Sequence, residues 1–252
     1  MGNNWYYVLF FESEGDIAAR LEEIFCILNK SEIIYRKFGC IKITSKFGID
    51  ELEFSTQSEA RDYLAKQGGA LQVWKIIDKD KDWDVDFEIC IDPYDFIEEV
   101  SQTNIQEFQR FHHIVIKVGG YLFQDFTGEQ DRITIARFIH QLYTELCDFK
   151  NIVYGFSLDE NLIDEEYLRL DPIIHSLTDG KITPNLFWLN YFSDDYPQNK
   201  GLLEDMQLLN FKRNKLRYGT LYAICDFPWQ VDHLMTKIKQ INVRWTDIHH
   251  LS

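Results

Sequence analysis

Apolar residues recur along this chain with two periods, and the period changes mark its elements. Trp5 to Phe11 is an unbroken aromatic and β-branched run that predicts a strand. Ile17, Leu21, Ile24, Phe25 and Leu28 then follow at three- and four-residue steps, with Arg20, Glu22 and Glu23 between them, and predict an amphipathic helix. Ile33 to Thr44 predicts a strand interrupted at Gly39, and Ile49 to Phe54 a half-exposed one. Ser58 is the expected N-cap of a short helix through Lys66, closed by Gly68-Gly69. Ala70 to Ile77 is the next predicted strand. Trp83 to Ile91 alternates most cleanly, with Trp83, Val85, Phe87 and Ile89 on one face and Asp84, Asp86 and Glu88 on the other.

Residues 94–110 carry a helical pattern. A second series then begins. Its expected strands are His113 to Val118, Ile152 to Leu158, Asn185 to Phe192 and Leu216 to Cys225. Its expected helices are Ile133 to Cys147, Asp164 to Arg169, Gly201 to Leu209 and Val231 to Ile241, and Lys212-Arg213-Asn214-Lys215 reads as a basic turn. Both series run strand–helix–strand–strand–helix–strand, the order of a split βαβ unit. The fold class expected is therefore α/β (α+β): two packed ferredoxin-like halves, residues 1–100 and 111–252, with largely antiparallel sheets. No Ser/Gly/Pro-rich linker separates them, so they are expected to pack together or share a sheet.

Composition narrows the function classes. The formal net charge is −15, from 41 acidic against 26 basic residues. Such a surface repels phosphate backbones and anionic headgroups, so neither nucleic acid nor membrane is an expected partner, whereas a basic protein is. Solubility alone is the competing explanation of the charge. The five cysteines are scattered and form no C-x-x-C pair, which points to buried thiols in a reducing compartment, the cytoplasm. No segment has a secretory pattern; Gly2 sits where a myristoylated glycine would, but Tyr6 replaces the usual Ser or Thr.

Motif by motif, catalysis finds little support. Neither G-x-x-x-x-G-K-[ST] nor G-x-G-x-x-G occurs. Gly68-Gly69 and Gly119-Gly120 fall at element ends, where glycine supplies positive φ. Asp78, Asp80 and Asp82 begin like a calcium loop, but Trp83 and Ile89 occupy the positions that need glycine and glutamate. His112 and His113 open a strand and point to opposite faces, and His140 reads as a polar-face helix residue. Gly155-Phe156-Ser157-Leu158-Asp159 is half of a nucleophile elbow, with aspartate where a small residue is required. The acids Asp159, Glu160, Asp164, Glu165 and Glu166 suit a helix start, or acid–base chemistry. No cofactor and no metal site is expected.

Two features suit protein recognition. As a strand, the 84–88 segment places Asp84, Asp86 and Glu88 on one face at roughly 7 Å spacing, either a solvated face or a dock for cations. Phe187-Trp188-Leu189-Asn190-Tyr191-Phe192-Ser193 is bulky on both faces. It is either a buried central strand or, with Tyr196 and Trp229, an exposed aromatic anchor.

The stretch Asn185–Ser193, followed by Asp194-Asp195-Tyr196 and Gly201, resembles the W-L-N-Y-F … Y … G stretch of polymorphic-toxin immunity proteins, notably the immunity protein 52 type. Tyr154–Glu160 is compatible with that setting. The resemblance covers about a sixth of the chain and implies a cytosolic antitoxin that binds a toxin domain without catalysis. The expected function is thus a non-enzymatic binding protein neutralising a basic toxin, through Asp84, Asp86, Glu88, Trp188, Tyr191 and Tyr196. An enzyme using residues such as His113, Asp159 and Glu160, or a small-molecule regulator, with its site between the halves, is the alternative.

Overall fold

The N-terminal strand does most to set the architecture. β1 (Asn4–Glu12) is apolar on both faces, and all seven residues from Trp5 to Phe11 are buried. A strand without a polar face is stable only with neighbours on both edges and cover on both faces. β1 accordingly lies near the middle of one ten-stranded sheet.

The computed structural model describes residues 4–12, 17–31, 33–46, 48–78, 83–92, 111–123, 128–159, 186–195, 204, 206–207, 210–230 and 240. The helices expected at 94–110 and 164–169, most of those at 201–209 and 231–241, and Tyr196 lie outside the described residues.

After β1 come α1 (Ile17–Lys30), β2 (Ile41–Thr44), β3 (Glu51–Phe54), α2 (Gln57–Gln67), β4 (Gly69–Asp78) and β5 (Trp83–Ile91). Then follow β6 (Phe111–Gly119), a 3-10 turn at Gly120–Phe123, α3 (Glu129–Cys147), β7 (Ile152–Asp159), β8 (Leu189–Ser193), β9 (Lys212–Lys215) and β10 (Gly219–Ala223). The sheet order is β3-β2-β4-β5-β6-β1-β7-β8-β10-β9, and every pairing between named strands is antiparallel.

The protein is thus mixed α+β, but its strand order departs from two self-contained ferredoxin-like units. In the split βαβ pattern one strand separates the pair that flanks a helix. That holds for β3–α2–β4, parted by β2, and for β6–α3–β7, parted by β1, whereas three strands lie between β1 and β2. β1 pairs β6 from Asn4↔Gly119 to Glu12↔Phe111, and β7 from Trp5↔Asp159. A strand from residues 1–100 is therefore inserted between two from 111–252, and the halves share a sheet.

The helices α1, α2 and α3 supply an apolar layer. Leu21, Ile24, Phe25 and Leu28 of α1, Ala60 and Leu64 of α2, and Ile135, Ile139, Leu142, Tyr143 and Leu146 of α3 are all buried. Each fully buried Leu, Ile or Phe contributes about 1.5–3 kcal/mol, so these stripes hold the helices far more firmly than helix propensity does. Tyr143 donates its hydroxyl to the carbonyl of Val8, 3.1 Å away, which ties α3 to β1. Odd-numbered residues of β1 face this layer. Even-numbered ones face an aromatic sheet surface in which Phe10 neighbours Tyr154 and Phe156, and Tyr154 neighbours Phe192.

Several local expectations change. Thr56, not Ser58, caps α2: its hydroxyl accepts from the Glu59 amide and the Glu59 carboxylate accepts from the Thr56 amide, a reciprocal pair that starts the helix two residues early. Thr56→Ala is expected to lower stability by about 1 kcal/mol in urea unfolding. The strand expected over 33–44 is regular only from Ile41 to Thr44. Before it lies a tight turn with Phe38 at φ 56° and Gly39 at φ 87°. The basic segment 212–215 is an edge strand, whose side chains are all exposed and so show no alternation for the sequence to reveal. Cys90, Cys147 and Cys225 are buried as expected, but Cys26 is exposed and Cys40 half-buried. Among the described residues no helix is long and apolar enough to cross a membrane.

Candidate functional site

The face of the sheet turned away from α1, α2 and α3 changes character between β5 and β6. The row Cys90–Val115–Val8 is buried. The next row on the same face is Gln72–Glu88–Lys117–Tyr6, and beyond it come Trp74–Asp86 and Gly119–Asn4. Here the surface opens into a depression of about 270 Å³, lined by Asn4, Gln72, Trp74, Asp86, Glu88, Lys117 and Gly119. Strand alternation places the polar side chains. Val85, Phe87 and Ile89 are turned inward and buried, so Asp84, Asp86 and Glu88 must face outward, as the sequence pattern predicts.

Part of that negative charge is answered within the chain. Lys37 lies 2.7 Å from Asp84 and sits over the Trp74 ring, 5.1 Å from its centroid. Lys117 is 3.7 Å from Glu88, longer than a hydrogen bond. The stripe is therefore a set of partly exposed ion pairs around the exposed Asp86 rather than a bare anionic patch. Beside it, Phe38 projects from its turn at 89% exposure. A second depression, about 440 Å³, lies on the helix side between Lys30, Lys75, Phe138 and Glu145; its Lys75 donates to the Ser31 carbonyl and covers the Phe138 ring.

The aromatic candidates fall elsewhere. Trp188 is 2% exposed and Tyr191 0%, so neither forms part of an outer contact surface. Trp188 packs edge-on against Trp5 and Tyr7, with His140 above it 6.3 Å away. His140 is thus half-buried over an indole rather than on a polar face, and burial pushes its pKa down. Tyr191 sits opposite Gly155 in the β7–β8 ladder. Trp229 is half-buried and stacks on Phe227 at 4.9 Å. Ser157 is buried in the β7 ladder opposite Tyr7. The side chain of Asp159 and all of Glu160, Asp164, Glu165 and Glu166 lie outside the described residues, as do Asp80 and Asp82. Burial pushes the Cys225 thiol up to about 11, and holds Cys147 well above the ordinary thiol range, which suits inert core cysteines.

One cluster escaped the sequence reading. Asp92, at the end of β5 with φ 46°, bridges both histidines that open β6. Its Oδ2 lies 2.6 Å from His112 Nδ1, and its Oδ1 accepts the His113 amide at 2.8 Å and lies 3.2 Å from His113 Nδ1. The two rings do face opposite ways, His112 against Phe11 and His113 against Phe10, yet one carboxylate reaches both. An aspartate directly after an apolar strand, a residue type that tolerates left-handed backbone, was the available signal. Burial by itself pushes the Asp92 carboxyl up, but its bonds and charge interactions with the two histidines outweigh this and hold it below the ordinary carboxylate range. The hydrogen bond to Asp92 raises His112 against the opposing effect of burial.

These shifts set a pH window. The folded pKa of His112 is raised, so its contribution is complete below roughly 6.5 and is lost as pH rises through the folded value. The folded pKa of Asp92 is lowered, so its contribution is present above about 4 and is lost as pH falls through the folded value. His140 acts in the opposite sense, since its lowered folded pKa costs stability below about 6.5. His112→Asn is therefore expected to lower the urea midpoint more at pH 5.5 than at pH 8.5, changing the difference between the two. An unchanged difference in that variant would remove the pair from the account.

Among the described residues no group of His, Cys, Asp and Glu is placed to hold a metal ion. No protein-family model matches the chain, and neither a curated protein nor a solved structure matches it.

Proposed function

We propose that this protein is a non-enzymatic binding protein of the immunity type, which neutralises a basic toxin domain by docking it on the open β4–β5–β6 face. The observation that carries the reading is the change of that face from buried apolar at Cys90–Val115 to open and carboxylate-bearing at Asp84, Asp86 and Glu88. Lys37 and Lys117 do not exclude such a partner. Partly exposed pairs of this kind are worth about 0–1 kcal/mol, so a partner cation can replace the internal one at little cost. The net charge of −15 speeds encounter with a basic partner. A stable contact needs about 800 Å² per side, which extends beyond the stripe, and the exposed Phe38 supplies an apolar anchor next to it.

The test is co-expression with a basic toxin domain encoded beside this chain. The wild type is expected to restore growth. A triple Asp84→Lys, Asp86→Lys, Glu88→Lys variant with an unchanged fold is expected to fail. Growth restored equally by both chains, or by neither, overturns the reading.

A second reading, an enzyme or a small-molecule regulator acting between the halves, is favoured by the Asp92–His112 pair, which lies where β5 gives way to β6. A carboxylate on Nδ1 is the arrangement that orients a histidine for proton transfer. A ligand-dependent melting shift that Asp92→Asn abolishes would support it.

A further inference from the structure

Gly119 has no conformational reason to be glycine. Gly68 and Gly69 have φ of 68° and 126°, as their place at a helix end demands, but Gly119 is not among the positive-φ glycines. It lies within β6, paired with Asn4 of β1, where any residue fits the backbone and glycine weakens the strand. A glycine there puts no side chain on the face that carries Lys117. The β5–β6 ladder ends at Glu88↔Lys117, and just past that end Asp86 of β5 and Gly119 of β6 both line the 270 Å³ depression.

We infer that the space above Gly119 receives one arginine side chain of a protein partner, its guanidinium stacked on Trp74 and bonded to the carboxylates of Asp86 and Glu88. The inference rests on the binding-protein reading and specifies how the open face recognises its partner. The lining favours guanidinium: it combines an indole with two carboxylates on one strand, and a planar fork of donors can stack flat and bond bidentately at once, whereas an ammonium is a point charge. Lys37, over the Trp74 ring with its ammonium on Asp84, shows that a cation is held at this edge of the face by ring and carboxylate together. The Glu88 contact with Lys117, at 3.7 Å, is loose enough to exchange.

The full chain, ¹⁵N-labelled, is titrated with N-acetyl-arginine amide and, separately, with its neutral isostere N-acetyl-citrulline amide. Saturable shifts are expected at the Trp74 indole N–H and at the amides of Gln72, Glu88 and Gly119, with citrulline at least tenfold weaker. Gly119→Leu, which fills that space and leaves every charge in place, is expected to abolish the shifts. Asp86→Asn, a surface change unable to disturb the core, is expected to weaken them at least tenfold and decides the matter if Gly119→Leu misfolds. Absence of saturable shifts, equal response to citrulline, or an unaltered response in Asp86→Asn overturns the inference. If arginine fails here while the co-expressed toxin is still neutralised through the acidic stripe, only the pocket is lost. If arginine binds but no toxin is neutralised, the pocket stands and the immunity reading falls.

Discussion

Replacing Trp188 with alanine is expected to lower the unfolding free energy by about 3–5 kcal/mol. The indole is 2% exposed and wedged edge-on against Trp5 and Tyr7, with His140 over it, so truncation leaves a cavity bordered by β1 and α3. A loss of that size is a large share of the 5–15 kcal/mol typical of a folded domain. Urea unfolding followed by tryptophan fluorescence measures it, with the shift seen in the midpoint rather than in the slope. The result separates two roles for the aromatic segment. An exposed anchor would show normal stability and lost partner binding, whereas a core residue shows lost stability whether or not a partner is present.

Gly155→Val is the second large effect, about 3 kcal/mol or more of destabilisation. A Cβ at position 155 would stand 2.5 Å from Leu9 Cδ2, 2.5 Å from Tyr143 Oη and 2.9 Å from the Val8 carbonyl oxygen. The last of these is backbone of the central strand and cannot rotate away. Tyr143 would have to give up its hydrogen bond to Val8, so the side chain that ties α3 to the sheet is displaced along with the strand. Circular dichroism melting is expected to show a markedly lower midpoint, and a Gly155→Ala variant should fall between valine and wild type. A wild-type melting curve for the valine variant would mean that β1 and β7 are not packed against α3 as described.

Binding variants and core variants therefore belong to different residues of the same sequence candidates. Asp84, Asp86 and Glu88 can be changed at the surface with little effect on folding, because their side chains are at least partly in solvent and their pairs are weak. Trp188 and Tyr191 cannot. The pattern W-L-N-Y-F carried no information to tell these cases apart, since a run bulky on both faces fits equally well a central strand with two covered faces and a strand with one face awaiting a partner.

What the sequence determined by itself is everything that depends on period. The alternation from Trp83 to Ile91 placed the three carboxylates on one face, the i, i+3, i+4 stripes placed α1 and α3, and the apolar run from Trp5 to Phe11 marked β1 as a strand. Side-chain direction follows from backbone geometry alone, so these inferences need no knowledge of neighbours. Only the tertiary structure decided who the neighbours are. It set β1 between β6 and β7, joined Asp92 to histidines some twenty positions away, brought Lys37 onto Asp84 across 47 residues, and put Gly119, read from sequence only as a strand end, into the lining of a depression. Such contacts depend on which strand edges find each other and on what each face is pressed against. Those are properties of the assembled sheet, and the local pattern is equally compatible with several assemblies.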